Sequence, residues 1–129
     1  MDISKFKDIF ISEAEDHLQK LNDNLLVVER TVKQLEKDVA LSDLRQQEFS
    51  KLLDELMRSA HTLKSSSATM GYAKMAFFTH ILEDVFDHAR NGILTITSSI
   101  INEMFPAFDK LNQSLENIKT NNEEIDLGV

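Results

Sequence analysis

No glycine or proline interrupts the first 70 residues of this chain. Within that stretch an apolar residue recurs every three or four positions: Ile3, Phe6, Phe10, Ala14, Leu18, Leu21, Leu25, Val28, Val32, Leu35 and Val39. Ten steps cover 36 residues, a period of 3.6, which marks one buried stripe along one α-helix. At 1.5 Å per residue that helix is roughly 54 Å long. A helix with one apolar face must bury it against other elements, so the rest of the chain has to supply the cover. The whole chain of 129 residues has only 3 Gly and 1 Pro, and it shows no β-branched runs of period two. Its composition therefore predicts an all-α protein.

The cover is legible further along. A turn is expected near Ala40-Leu41-Ser42, with Ser42 or Asp43 capping the next helix and Asp43 with Gln46 approximating a capping box. The second helix turns Phe49, Leu52, Leu53, Leu56, Ala60 and Leu63 inward, fades through Ser65-Ser66-Ser67 and stops near Gly71. A third carries Phe78, Leu82, Val85, Phe86 and Ala89 and stops at Asn91-Gly92, where glycine supplies a left-handed cap. A fourth begins after Thr97 and carries Ile101, Met104, Phe108, Leu111, Leu115 and Ile118. Pro106 is expected to kink or split it. Four amphipathic helices with short connections predict an antiparallel four-helix bundle. The first two look longer than the last two need, so their inner ends are expected to project as an extension around residues 30–50. Residues 1–120 read as the domain. Residues 121–129 read as a frayed polar tail opening a linker.

Charge narrows the partners. The chain has 14 basic and 22 acidic residues, a net charge of −8. Nucleic acid and anionic membrane surfaces are disfavoured, because no cationic excess exists to meet their phosphates. Without cysteine there is no disulfide, no thiolate nucleophile and no Cys-ligated zinc, which suits a cytoplasmic location. The aliphatic run Leu25-Leu26-Val27-Val28 is far short of the ~20 residues that span a bilayer. The opening MDISKFKDIF lacks a basic region followed by an apolar block, so no signal peptide is expected.

Four histidines stand out: His17, His61, His80 and His88. His17 follows Glu13 by four and is expected to form a surface pair with it. His88 follows Asp84 by four near a helix end, where a cation suits the helix dipole. His61 has different surroundings. Ala60 faces the core, so His61 turns onto the edge of the buried stripe or the open face. Lys64 follows at i+3, Ser65 at i+4 and Ala68 at i+7, leaving a small-residue face with one cation beside it. Antiparallel packing of the second and third helices can bring Glu83 to His61. A carboxylate that accepts the Nδ1 proton holds the ring in the tautomer with a bare Nε2, a nucleophile facing solvent. The residues alone leave this open against an ordinary surface histidine with an ion pair.

Two segments resemble a known family. Ala60-His61-Thr62-Leu63-Lys64 with the small residues Ser65-Ser66-Ser67-Ala68 is similar to the signature of histidine phosphotransfer (HPt) domains. Thr79-His80-Ile81-Leu82-Glu83, with Arg90-Asn91-Gly92 at the helix end, resembles the second motif of one subgroup, the N-terminal domain of chemotaxis histidine kinases. The start Met1-Asp2-Ile3-Ser4 with Phe6, Phe10, Glu13 and Ala14 is similar too, and the spacing of 19 residues from His61 to His80 is preserved. The resemblance implies an HPt-like bundle in which His61 is phosphorylated, Glu83 accepts its Nδ1 proton, and Lys64 and His80 complete the polar environment. Ser65, Ser66 and Ala68 stand where the family has glycines, adding bulk to the face where a partner docks.

The resemblance further implies that a kinase catalytic domain brings ATP and delivers its γ-phosphoryl group. A CheY-like response regulator then takes the group onto an aspartate, bringing the Mg²⁺ for that step. No cofactor is expected in the domain itself, which has no Gly-rich phosphate loop, and the isolated bundle is expected to be a monomer. Three other readings compete. A phosphorelay HPt of a hybrid kinase would use the same His61 and Lys64. A carboxylate–histidine metal bundle needs Glu-x-x-His on two helices, whereas His80-x-x-Glu83 occurs once and reversed. A non-catalytic helical adaptor leaves the His61, Lys64, His80 and Glu83 set unexplained.

Overall fold

The computed structural model describes residues 3–37 and 43–128. It holds four helices: α1 (Ile3–Lys37), α2 (Asp43–Thr69), α3 (Ala73–Arg90) and α4 (Ser98–Asn121). No strand occurs among the described residues. α2 packs on α3 and on α1, and α1 packs on α4. The ends set the directions. Lys7 near the start of α1 hydrogen-bonds Asn122 just past α4, and Lys119 reaches Glu15 at 3.7 Å, so α1 and α4 run antiparallel.

The apolar stripe of α1 is the spine of the core. Phe10, Ala14, Leu18, Leu21, Leu25, Val28 and Val32 are all buried, and α1 is unbroken past Val28 to Lys37. Leu53, Leu56, Ala60 and Leu63 meet them from α2, Leu82 and Phe86 from α3, and Ile101, Met104, Phe108, Leu111, Leu115 and Ile118 from α4. Phe6 breaks the expected pattern: it is 48% exposed, and Ile11 turns inward in its place. At that end the helix rests on Tyr72, whose ring lies 5.3 Å from that of Phe10, so the buried face rotates toward positions 10 and 11. The expected turn near residues 40–42, its capping residues Ser42 and Asp43, and the tip of the 30–50 extension lie outside the described residues and side chains.

The remaining boundaries follow the chain's punctuation. α2 ends at Thr69 and Gly71 takes φ +85°, a left-handed value that a residue with a Cβ adopts only under strain. α3 ends at Arg90, two residues before Gly92 at φ +75°. The Thr97 hydroxyl accepts from Ile100 N–H at 3.3 Å and so starts α4. Pro106 does not split α4, which stays helical from Ser98 to Asn121 around it. Its ring faces solvent, while Met104, Phe108 and Leu111 fasten both sides of it to the bundle.

The segment after α4 is packed down, in contrast to the frayed tail expected from its polarity. Asn122 adopts φ 62° and reverses the chain. The Ser114 hydroxyl then accepts from Ile125 N–H at 3.2 Å, and Leu127 is only 3% exposed. Glu124 has the most consequential position. Tyr72 at the start of α3 offers no side-chain cap, and Glu124 supplies one from 50 residues away. Its carboxylate accepts from Lys74 N–H at 3.1 Å and Met75 N–H at 2.8 Å. Those are the donors that a capping residue normally satisfies, at the end of the dipole that favours a negative charge. Glu124→Ala is expected to cost about 1 kcal/mol in urea unfolding at neutral pH, and an unchanged midpoint would show the contact to be idle.

Candidate functional site

The three-residue turn Met70-Gly71-Tyr72 folds α3 back along α2. Two contacts report the register. His61 meets Glu83 and Asp54 meets Arg90, and each pair straddles Tyr72 symmetrically, eleven and eighteen residues to either side. The two contacts therefore lie seven residues, or two helical turns, apart on the same face.

His61 sits on the open side of α2 with its side chain 57% exposed, while the Glu83 side chain beside it is only 18% exposed. The ring Nδ1 lies 2.8 Å from Glu83 Oε1. Lys64 Nζ lies 2.6 Å from the other oxygen, Oε2. Each carboxylate oxygen thus has its own partner, both partners coming from one turn of α2. Partial burial pushes the Glu83 carboxyl up, but hydrogen bonds and charge attraction from Lys64 and His61 outweigh it and hold the group below its ordinary range. Glu83 is accordingly ionised at neutral pH and can only accept. The proton of the shared hydrogen bond then belongs to Nδ1, and in the neutral ring Nε2 carries the free lone pair.

The other expected participants fall around this centre. His80 lies one turn from Glu83 but faces Asp84, with Nε2 at 3.5 Å from its carboxylate. Its ring lines a concavity of about 520 Å³ with Lys64, Ser65, Ala68 and Phe77. Ser65 and Ala68 are thus on the open floor beside the site, and Phe77 is 55% exposed at its edge. His88 is exposed in the last turn of α3, and Asp84 pairs back to His80 instead of forward to it. His17 departs further from expectation. It is half-buried in the α1–α2 seam, Nδ1 has no hydrogen-bond partner among the described residues, and no pair with Glu13 forms. Position 17 borders the buried stripe at Leu18, which draws its ring inward.

One part of the site had no counterpart in the sequence reading. Asp54 uses one oxygen for Arg90 at 2.8 Å and the other for Arg58 at 3.0 Å, and Arg90 also holds Asp87 at 2.8 Å. Arg58, Asp87 and Arg90 of this network line a second concavity, of about 550 Å³, which also takes in His61 and Glu83. Its signal was the i−4, i spacing of Asp54 and Arg58 one turn before His61, common enough on helices to carry no message alone. Among the described residues no three His, Asp or Glu side chains converge on a point where a metal could sit. No described helix is long and apolar enough to cross a membrane.

Comparison with known proteins identifies the family. The model of the Hpt domain family matches residues 5–121, and the chain belongs to that family. Within it, the likeness is to CheA. The chain is 41% identical over 118 residues to chemotaxis protein CheA of Bacillus subtilis (strain 168), covering 92% of this chain and 15% of that protein. It is 31% identical over 114 residues to CheA of Halobacterium salinarum, covering 88% and 15%. The CheA phosphotransferase domain from Thermotoga maritima, a solved structure, aligns with a TM-score of 0.71 at 32% identity, covering 93% of this chain and 99% of that one. The chain thus spans 15% of the length of these full-length relatives.

The lowered pKa of Glu83 has a consequence for stability. A carboxyl depressed on folding stabilises the folded state above its unfolded value near 4.5, and that contribution is lost as pH falls through the lower folded value. The advantage of wild type over Glu83→Gln in urea unfolding is expected to be complete at neutral pH and to shrink below about pH 4.5. A difference independent of pH would show that the amide replaces the carboxylate without electrostatic loss.

Proposed function

We propose that His61 is the phosphoryl acceptor and donor of a CheA-type chemotaxis histidine kinase. It would take the γ-phosphoryl group of ATP from the kinase catalytic domain and hand it to an aspartate on a CheY-like receiver. The observation that carries this reading is the exposed His61 ring with Nδ1 held at 2.8 Å by a carboxylate. Membership in the Hpt domain family and the likeness to the CheA phosphotransferase domain support it.

The chemistry follows from the geometry. The Nε2 lone pair attacks the γ-phosphorus, a P–N bond forms, the bond to the bridging oxygen breaks, and ADP leaves. The ring gains positive charge during attack, and the Glu83 carboxylate on Nδ1–H offsets it. Lys64 draws the second carboxylate oxygen and fixes the orientation of Glu83. In the second step an aspartate oxygen of the receiver attacks the same phosphorus, and the P–N electron pair returns to Nε2. The described residues offer no enclosed pocket around Nε2; ATP, Mg²⁺ and the remaining charge stabilisation come with the partner domains. Phosphoryl transfer depends mainly on positioning and charge stabilisation, so a rigid bundle presenting one oriented imidazole is a sufficient half-site.

The test is incubation with a CheA kinase domain and γ-labelled ATP, followed by a CheY-like receiver. Label should enter the wild-type chain, be absent from His61→Gln, and pass to the receiver. Retention of label in His61→Gln would remove His61 from the role. Glu83→Ala is expected to slow phosphorylation by about 10²-fold, the range for loss of acid–base assistance. Lys64→Ala should fold as wild type, since a surface lysine contributes little to stability.

A further inference from the structure

The cationic side chains near His61 are unequally committed. On α2 it is flanked by Arg58 at i−3 and Lys64 at i+3, each about 4.5 Å away along the helix axis. Lys64 is 27% exposed and already engaged with Glu83. Arg58 is 75% exposed, and its ion pair runs through Nε, which lies 3.0 Å from Asp54 Oδ2. Among the described residues its two terminal nitrogens face no partner. Arg58 and His61 line the same concavity between α2 and α3. Side chains on a helix lean toward its N-terminus, so the His61 ring leans over the turn that carries Arg58.

We propose that Arg58 is a phosphoryl-binding residue, whose guanidinium leaves Asp54 and closes on the phosphoryl group at His61 Nε2. This rests on the reading of His61 as phosphoryl acceptor. The exchange is favourable on the contacts present. An exposed arginine–carboxylate pair is worth little, and Asp54 keeps Arg90 at 2.8 Å when Arg58 departs, so no carboxylate is stranded. A phosphoryl group brings up to two negative charges and three acceptor oxygens, which a guanidinium meets with two parallel hydrogen bonds. In the resting structure the Asp54 pair occupies only Nε, so the two terminal nitrogens can meet the phosphoryl oxygens before that pair breaks. Lys64 stays with Glu83, so the two cations divide the work: one orients the carboxylate and the other covers the phosphoryl oxygens.

The test uses the whole chain and two donors, phosphoramidate as a small one and a CheA kinase domain with ATP. Wild type should take up one phosphoryl group at His61 from each. Arg58→Ala is expected to slow uptake about tenfold with both, as suits loss of one charged hydrogen-bonding partner. Arg58→Lys should recover part of the rate. A second readout is a ³¹P NMR titration of the phosphorylated chain. Losing a contacting cation should raise the second ionisation of the phosphoryl group by about half a pH unit in Arg58→Ala. Uptake at the wild-type rate from phosphoramidate, or an unmoved ionisation, overturns the role of Arg58 while leaving His61 as acceptor. Failure of wild type to take up phosphate from either donor overturns the acceptor reading itself.

Discussion

A single carboxylate on α3 governs the chemistry that α2 can offer. Glu83 divides its two oxygens between His61 and Lys64, and in doing so fixes a tautomer, a ring orientation and a local charge. Without it the imidazole would be a solvated base with two interchangeable nitrogens. The pairing requires that α2 and α3 hold their register to within a fraction of a turn. That register is set by a three-residue turn, a glycine in left-handed conformation, and a second cross-link two turns away between Asp54 and Arg90. The buried residues of α3, such as Phe86, then lock the rotation of the helix about its own axis.

Much of this was legible in the sequence because helical geometry is periodic. The stripe from Phe10 to Val32 predicted its own burial, and Gly71 and Gly92 marked where helices stop. The pairing of His61 with Glu83 was also within reach, since residues equally spaced about a tight turn meet when two straight helices fold back. Departures arose where the deciding neighbour is remote in sequence. Phe6 faces water because Tyr72 sets the packing at that end. His17 is drawn into the α1–α2 seam rather than toward Glu13. Arg58, Asp54 and Arg90 join two helices through surface side chains, and nothing in local spacing separates such a cross-link from a solvated charge.

Charge of both signs meets at the site. The chain carries a net −8, and around the exposed His61 ring Arg58, Arg90 and Lys64 stand among Glu83, Asp84 and Asp87. An acidic body limits non-specific attachment to polyanions. The ring stands open rather than enclosed, an arrangement that suits the proposed handover between two partners. A deep pocket would favour one of them and exclude the other.

The family model and the architecture put the edge of this unit in different places. The match to the family model ends at residue 121, with the last turn of α4, yet Glu124, Ile125 and Leu127 beyond it hold on to the bundle. They lend α3 the anchor that its own leading residue lacks, and they seat Leu127 against the bundle. A fragment trimmed where the family model ends would keep His61, Lys64, His80 and Glu83. It would still surrender the clasp on the helix that bears Glu83, so the practical border of the module falls after the clasp rather than before it.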